Sequence, residues 1–130
     1  MSILQLKNGM DMEHLSFNEK WRARTKAFAI MVIRAYAKMP KTDEVRIVGR
    51  QLIKAATSVA ANFRAYCRGR SDVEKYAKLC IVVEEADESL FWLELLEEAG
   101  LCTPELMEPF KNEALEIVKM MSSTRKRIKT

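Results

Sequence analysis

The chain has few of the residues that break or bend a backbone: four glycines and three prolines in 130 residues. A sandwich or barrel needs many tight turns, so this scarcity, beside abundant Ala, Leu, Glu, Lys and Arg, argues for long helices. Cysteine is equally sparse. Cys67, Cys80 and Cys102 are an odd number without CxxC spacing, which suggests neither a disulfide framework nor a zinc knuckle and fits thiols kept reduced in a cytosol. The single histidine, His14, lies in the N-terminal tail. That leaves no Ser-His-Asp or Cys-His arrangement and no Glu-x-x-His pairs for a di-metal carboxylate site, and no Gly-rich phosphate loop occurs. A protein without catalytic residues, cofactor or metal is expected. The longest unbroken apolar run, Ala27 to Ile33, falls far short of the ~20 residues of a membrane span. Met1 to Phe17 lacks a basic start followed by an apolar core, so a cytoplasmic chain with no membrane partner is expected.

What the chain does have is enough apolar content, 48% beside 31% charged, to build one core of single-domain size. Residues 1–16 carry no period and contain the turn signal Asn8-Gly9, and they read as an N-terminal arm or tail. Residues 17–128 read as a bundle with a basic C-terminal end. Phe17, Trp21, Phe28, Met31, Val32, Ala35 and Met39 form the stripe of a first helix, stopped by Pro40. Thr42 caps a second, with Asp43 and Glu44 at its positive end and Val45, Val48, Leu52, Ala55, Ala56, Val59, Phe63 and Tyr66 inward, ending near Gly69. Ser71-Asp72-Val73-Glu74 reads as a capping box for a third helix from Asp72 to Ala99, closed by Gly100. Thr103-Pro104 opens a fourth, with Leu106, Phe110, Ala114, Ile117 and Met121 on its stripe. Short connections make neighbours antiparallel, so the expected fold is all-α, an up-down-up-down antiparallel four-helix bundle.

Three features carry further information. The third helix is apolar on several faces, with 14 apolar residues among the 21 from Tyr76 to Leu96. Ile81, Val82, Trp92 and Leu96 lie away from the sector of Val73, Cys80 and Phe91. A helix apolar all round is buried all round, so these four are expected at a homo-oligomer interface, unless the arm or the bundle itself covers them. Charge is also unevenly spread. The segment from Ser71 to Ala99 is net −7, Phe17 to Lys38 net +5 and Thr42 to Arg70 net +4. Arg46, Arg50, Lys54, Arg64 and Arg68 form a ridge opposite the second helix's apolar stripe, and Arg125, Lys126 and Arg127 add mobile positive charge. The ridge can neutralise nucleic-acid phosphates, meet the acidic third helix of another subunit, or remain a solvated face. The third feature is a polar set expected inside the bundle. Ser58 and Asn62 lie at the edge of the second stripe, and Glu84, Asp87 and Glu94 share the sector of Val73. The Asn62 amide is expected to satisfy a group near Glu84 or Glu88, since a buried carboxylate needs a partner.

The stretches QLIKAATSVAANFRAYCRGRS (Gln51 to Ser71) and EKYAKLCIVVEEADESLFWLELLEEAGL (Glu74 to Leu101) resemble the small four-helix-bundle proteins encoded in intervening sequences of bacterial large-subunit ribosomal RNA genes. The resemblance covers most of residues 17–121. It rests on Ser58 and Asn62 within SVAAN, on Arg70-Ser71, and on the acid-rich segment Glu84 to Ser89. Where that family commonly has Glu-Gly, this chain has Ala65-Tyr66. The resemblance implies a homopentameric ring. So does a more remote similarity to accessory proteins of diversity-generating retroelements, which bind nucleic acid and a reverse transcriptase. The expected function is a non-enzymatic homo-oligomer that binds structured RNA or DNA through the phosphate backbone. The alternative is an assembly module whose charged faces bind a protein partner.

Overall fold

A computed structural model describes residues 15–129, and within them four helices run in order: α1 (Phe17–Lys38), α2 (Asp43–Cys67), α3 (Asp72–Glu98) and α4 (Pro104–Lys126). The expected N-terminal arm, with His14 and Asn8-Gly9, lies almost wholly outside the described residues. Its last residue, Ser16, belongs to the bundle as the cap of α1. The Ser16 hydroxyl oxygen accepts the Glu19 N–H at 3.2 Å, and the Glu19 carboxylate accepts back from the Ser16 N–H at 3.4 Å, which is a complete capping box. At the far end, Met39 turns extended ahead of Pro40.

The other boundaries follow equally local chemistry. Thr42 and Thr103 accept the N–H groups of Val45 and Leu106 at 3.2 Å each. Ser71 accepts the Glu74 N–H at 3.1 Å, so the serine half of the box expected there forms. After α3, Gly100 takes φ 74°. Its N–H bonds the Glu97 carbonyl at 3.0 Å and the Leu101 N–H bonds the Leu96 carbonyl at 2.9 Å. This pair of bonds satisfies two carbonyls that the helix end leaves open, and a side chain at Gly100 would be strained by the left-handed backbone.

The short links make successive helices antiparallel, and α1–α2, α2–α3 and α3–α4 pack along one another as an all-α four-helix bundle. The α1–α4 seam is the sparsest. The shared core includes Phe28, Val59, Phe63, Leu93, Ile117 and Met121, all fully buried. Gly49 lets α1 approach α2 closely, because a Cβ there would be driven into the Tyr36 ring. Lys41 lies over that ring, its ammonium 4.5 Å from the ring centre and bonded to the Tyr36 and Met39 carbonyls at 2.6 Å each. No helix among the described residues is long and apolar enough to cross a membrane.

α3 is oriented differently from the sequence expectation. Val82 and Leu96 are fully buried inside their own chain with Leu79, Ala86, Ser89 and Leu93, while Ile81 and Trp92 are half-buried on the flank. The proposed interface residues Val82 and Leu96 are therefore intramolecular core. The sector of Val73 (69% exposed) and Phe91 (50% exposed) faces outward. A helix apolar on every side carries no marker of its inner face in its hydrophobic pattern. Its acids carry that marker, since Glu84, Asp87, Glu88 and Glu94 are all exposed and desolvating them would be costly. The acids of the polar set expected inside the bundle are therefore outside it, while Ser58 and Asn62 are half-buried at its edge. Asn62 instead donates within its own helix, to the Ser58 carbonyl at 2.9 Å and hydroxyl at 3.0 Å. On α4, Leu106 is exposed and Met107 takes the buried place.

The α1–α4 seam is closed by ions. Arg24 and Glu113, 3% and 5% exposed, meet through Nη2 to Oε1 at 2.6 Å and Nε to Oε2 at 3.1 Å. Glu116 adds a second carboxylate at 3.0 Å, and the Trp21 ring lies 4.1 Å below the guanidinium. Burial opposes the charge on Arg24, but the two carboxylates outweigh it and raise its pKa.

Candidate nucleic-acid interface

A cleft of about 680 Å³ lies between α1 and α2. Its floor is made by Ala23, Ala60 and Ala61, where small side chains leave the backbones approachable. Its walls carry Arg22 and Lys26 from α1 and Arg64 and Arg68 from α2. Each pair is four residues apart, so helical spacing puts both members of a pair on one face, about 6 Å apart along the axis. All four cations are exposed. Glu19 also lines the cleft. Its carboxylate is turned to Ser16, and hydrogen bonds from that residue, helped by nearby Arg22, hold its pKa below the ordinary carboxylate value.

The ridge expected on α2 is divided by this geometry. Arg64 and Arg68 belong to the cleft, whereas Arg46, Arg50 and Lys54 stand further along α2, outside it. Arg46 leans on Asp43 at 3.5 Å, both well exposed, an arrangement worth little. Lys54 is close enough to Glu85 of α3 to stabilise its ionised form. Burial and the neighbouring Glu88 and Glu84 outweigh that help, and the Glu85 pKa is raised. Arg22 and Lys26 were not among the sequence candidates. An α1 net charge of +5 announces basic residues, but which of them face α2 depends on the interhelical register. The C-terminal cations continue the bundle. Arg125 and Lys126 belong to the last turn of α4, Arg127 caps it, and Ile128 packs against the core.

The antiparallel arrangement sorts charge by end as well as by face. At one end, where α1 and α3 begin and α2 and α4 finish, Lys20, Arg68, Arg70, Arg125 and Lys126 outnumber Glu19, Asp72 and Glu74. At the other, Asp43 and Glu44 open α2, Glu97 and Glu98 finish α3, and Glu105 opens α4, outnumbering Lys38, Lys41 and Arg46 where α1 finishes and α2 begins. Acids at an N-terminus and cations at a C-terminus suit the helix dipole. The C-terminal end of α3 departs from that rule, having acids and no basic residue in its last turn. Lys111 of α4 partly compensates by pairing with Glu97 at 2.7 Å.

Burial pushes the thiols of Cys67 and Cys102 up, that of Cys67 against the pull of Arg22. Among the described residues no group of three or more His, Cys, Asp or Glu side chains is placed to hold a metal ion. These features define an all-α four-helix-bundle protein with an electropositive α1–α2 flank and an acidic α3. Over residues 19–123 the sequence matches the 23S rRNA-intervening sequence protein family, and the chain belongs to it. It is also similar to a solved structure from Bacteroides thetaiotaomicron, a protein of unknown function from the S23 ribosomal protein family. The two share 28% identity at a TM-score of 0.78, over 84% of this chain and 97% of that one. No curated protein matches the sequence.

Proposed function

We propose that this chain is a non-enzymatic cytoplasmic protein that binds RNA or DNA through the phosphate backbone. The observation that carries the reading is the α1–α2 cleft, where four exposed cations from two helices converge over an alanine floor. Backbone neutralisation of this kind is sequence-tolerant and steeply dependent on salt. Titrating structured ribosomal RNA fragments by electrophoretic shift at rising salt tests it. Binding that weakens linearly on a log–log salt plot is expected, and no shift at low salt would end the reading. Homo-oligomerisation, with the pentamer implied by family resemblance, belongs to the same proposal, because copies of a weak site joined in one ring act together.

A second reading, a scaffold without nucleic acid, is favoured by the outer face of α3. There Val73 and Phe91 are exposed among Glu84, Asp87 and Glu94, a surface suited to a basic, partly apolar partner such as the α2 ridge of another copy. In that case the α2 cations are buried in the assembly. Light scattering followed by charge-reversal of Glu84 and Asp87 separates the two: the scaffold reading expects smaller species, and the nucleic-acid reading expects RNA affinity to survive.

A further inference from the structure

The cleft has a shape as well as a charge, and the shape selects among nucleic acids. The geometry points to a seat for one unpaired phosphodiester strand, lying along the Ala23–Ala60–Ala61 floor with phosphates bracketed between Arg22 and Lys26 on one side and Arg64 and Arg68 on the other. This rests on the nucleic-acid reading above and narrows its ligand class. On each wall the two cations stand about one helical turn apart along the axis, a spacing that suits successive phosphates of an extended chain.

A duplex does not fit the same seat. For a duplex backbone to reach the floor, α1 would have to enter the groove on one side of that backbone and α2 the groove on the other. A helix with its side chains is about 10–12 Å across. The B-form minor groove is about 6 Å wide, and the A-form major groove is too narrow and deep for side chains to read. In either form one of the two helices is shut out, whereas an unpaired strand presents no second wall. The cleft lining contains no aromatic side chain, so the bases find no stacking platform and point outward, and the seat should be indifferent to sequence. The alanine floor matters because larger side chains there would lift the strand away from the guanidinium groups without changing any charge.

Fluorescence anisotropy with the full chain, labelled 12-nucleotide single strands (oligo-dT and oligo-dA) and the corresponding blunt duplex tests this. At one fixed low salt, both single strands should bind with similar affinity and at least tenfold more tightly than the duplex. Ala61→Leu, a change between good helix formers at an exposed position, should weaken single-strand binding at least tenfold while circular dichroism stays unchanged. Lys26→Ala with Arg64→Ala should flatten the log–log salt slope by about 1.4, or 0.7 for each lost phosphate contact, and Arg46→Ala with Arg50→Ala should leave it within twofold in affinity. Duplex binding equal to or tighter than single-strand binding, or an Ala61→Leu protein of unaltered affinity, overturns the single-strand seat while leaving backbone binding intact. If neither single strand nor duplex binds at low salt, the seat falls together with the nucleic-acid reading.

Discussion

Removing either partner of the Arg24–Glu113 pair should open the α1–α4 seam, and the size of the effect can be set from its surroundings. Both side chains are almost completely removed from water, so a lone survivor is an uncompensated buried charge, which costs about 3 to 5 kcal/mol. The two single variants should not be equal. In Glu113→Ala the guanidinium keeps Glu116, a half-exposed carboxylate 3.0 Å away, so the loss belongs near the lower bound of about 3 kcal/mol. In Arg24→Ala the Glu113 carboxylate is stranded and the contact with Trp21 at 4.1 Å also goes, worth a further ~0.5 to 1 kcal/mol. At about 4 °C per kcal/mol for a domain of this size, the melting temperature should drop by roughly 12 °C in the first and up to ~24 °C in the second. Arg24→Met with Glu113→Leu removes both charges and fills the space, and should melt near or above the wild type. Urea denaturation followed at 222 nm, arranged as a double-mutant cycle, measures the coupling directly. Single variants within about 1 kcal/mol of wild type would refute the view that this pair holds the seam.

Gly49→Ala should destabilise the protein although alanine is the better helix former by about 1 kcal/mol, because the new methyl group displaces the Tyr36 ring at an overpacking cost of about 1 to 3 kcal/mol; thermal melting checks the sign. Glu85→Gln should stabilise by about 0.2 to 0.5 kcal/mol at neutral pH by relieving the burial of its charge and the crowding by Glu88 and Glu84. Because the folded-state pKa of Glu85 lies above its ordinary value, the ionised group costs stability above that folded pKa. The mutant's advantage should therefore shrink as pH falls through the folded pKa and vanish below the ordinary 4.5, which melting curves at graded pH will show. Asn62→Ala should cost no more than about 1.5 kcal/mol, since its amide bonds only within its own helix; a larger loss in chemical denaturation would mean a partner on α3 after all.

Helix boundaries were legible in the sequence because capping is local chemistry. Thr42, Ser71, Gly100 and Thr103 each act through a residue within four positions, and all stand where the pattern places them. The bundle follows from those boundaries and the short links. The inner face of α3 was not legible from hydrophobicity, since apolar residues surround that helix, and the acids Glu84, Asp87 and Glu88 were the better guide to the solvent side. Arg24 and Glu113 are 89 positions apart, and each alone reads as an ordinary surface charge. The cleft was half visible. Arg64 and Arg68 belong to a row that the sequence displays, but their convergence with Arg22 and Lys26 depends on how α1 and α2 are registered, which Gly49 and Tyr36 set by allowing close approach.

The sorting of charge between the two ends of the bundle has an electrical consequence. Antiparallel neighbours cancel one another's backbone macrodipoles, so the axial moment of the molecule comes from its side chains. Lys20, Arg68, Arg70 and Arg125 lie toward one end and Asp43, Glu44, Glu98 and Glu105 toward the other. In the field of a polyanion such a body experiences a torque before it touches anything, and turns its cationic end forward. Copies related by a rotation axis parallel to the bundle would add their moments and face the polyanion together. Copies paired head to tail would cancel them and arrive unoriented. The torque weakens as the Debye length falls from about 30 Å at 0.01 M salt to about 8 Å at physiological ionic strength, so orientation in flight should be lost at salt concentrations where contact binding still persists.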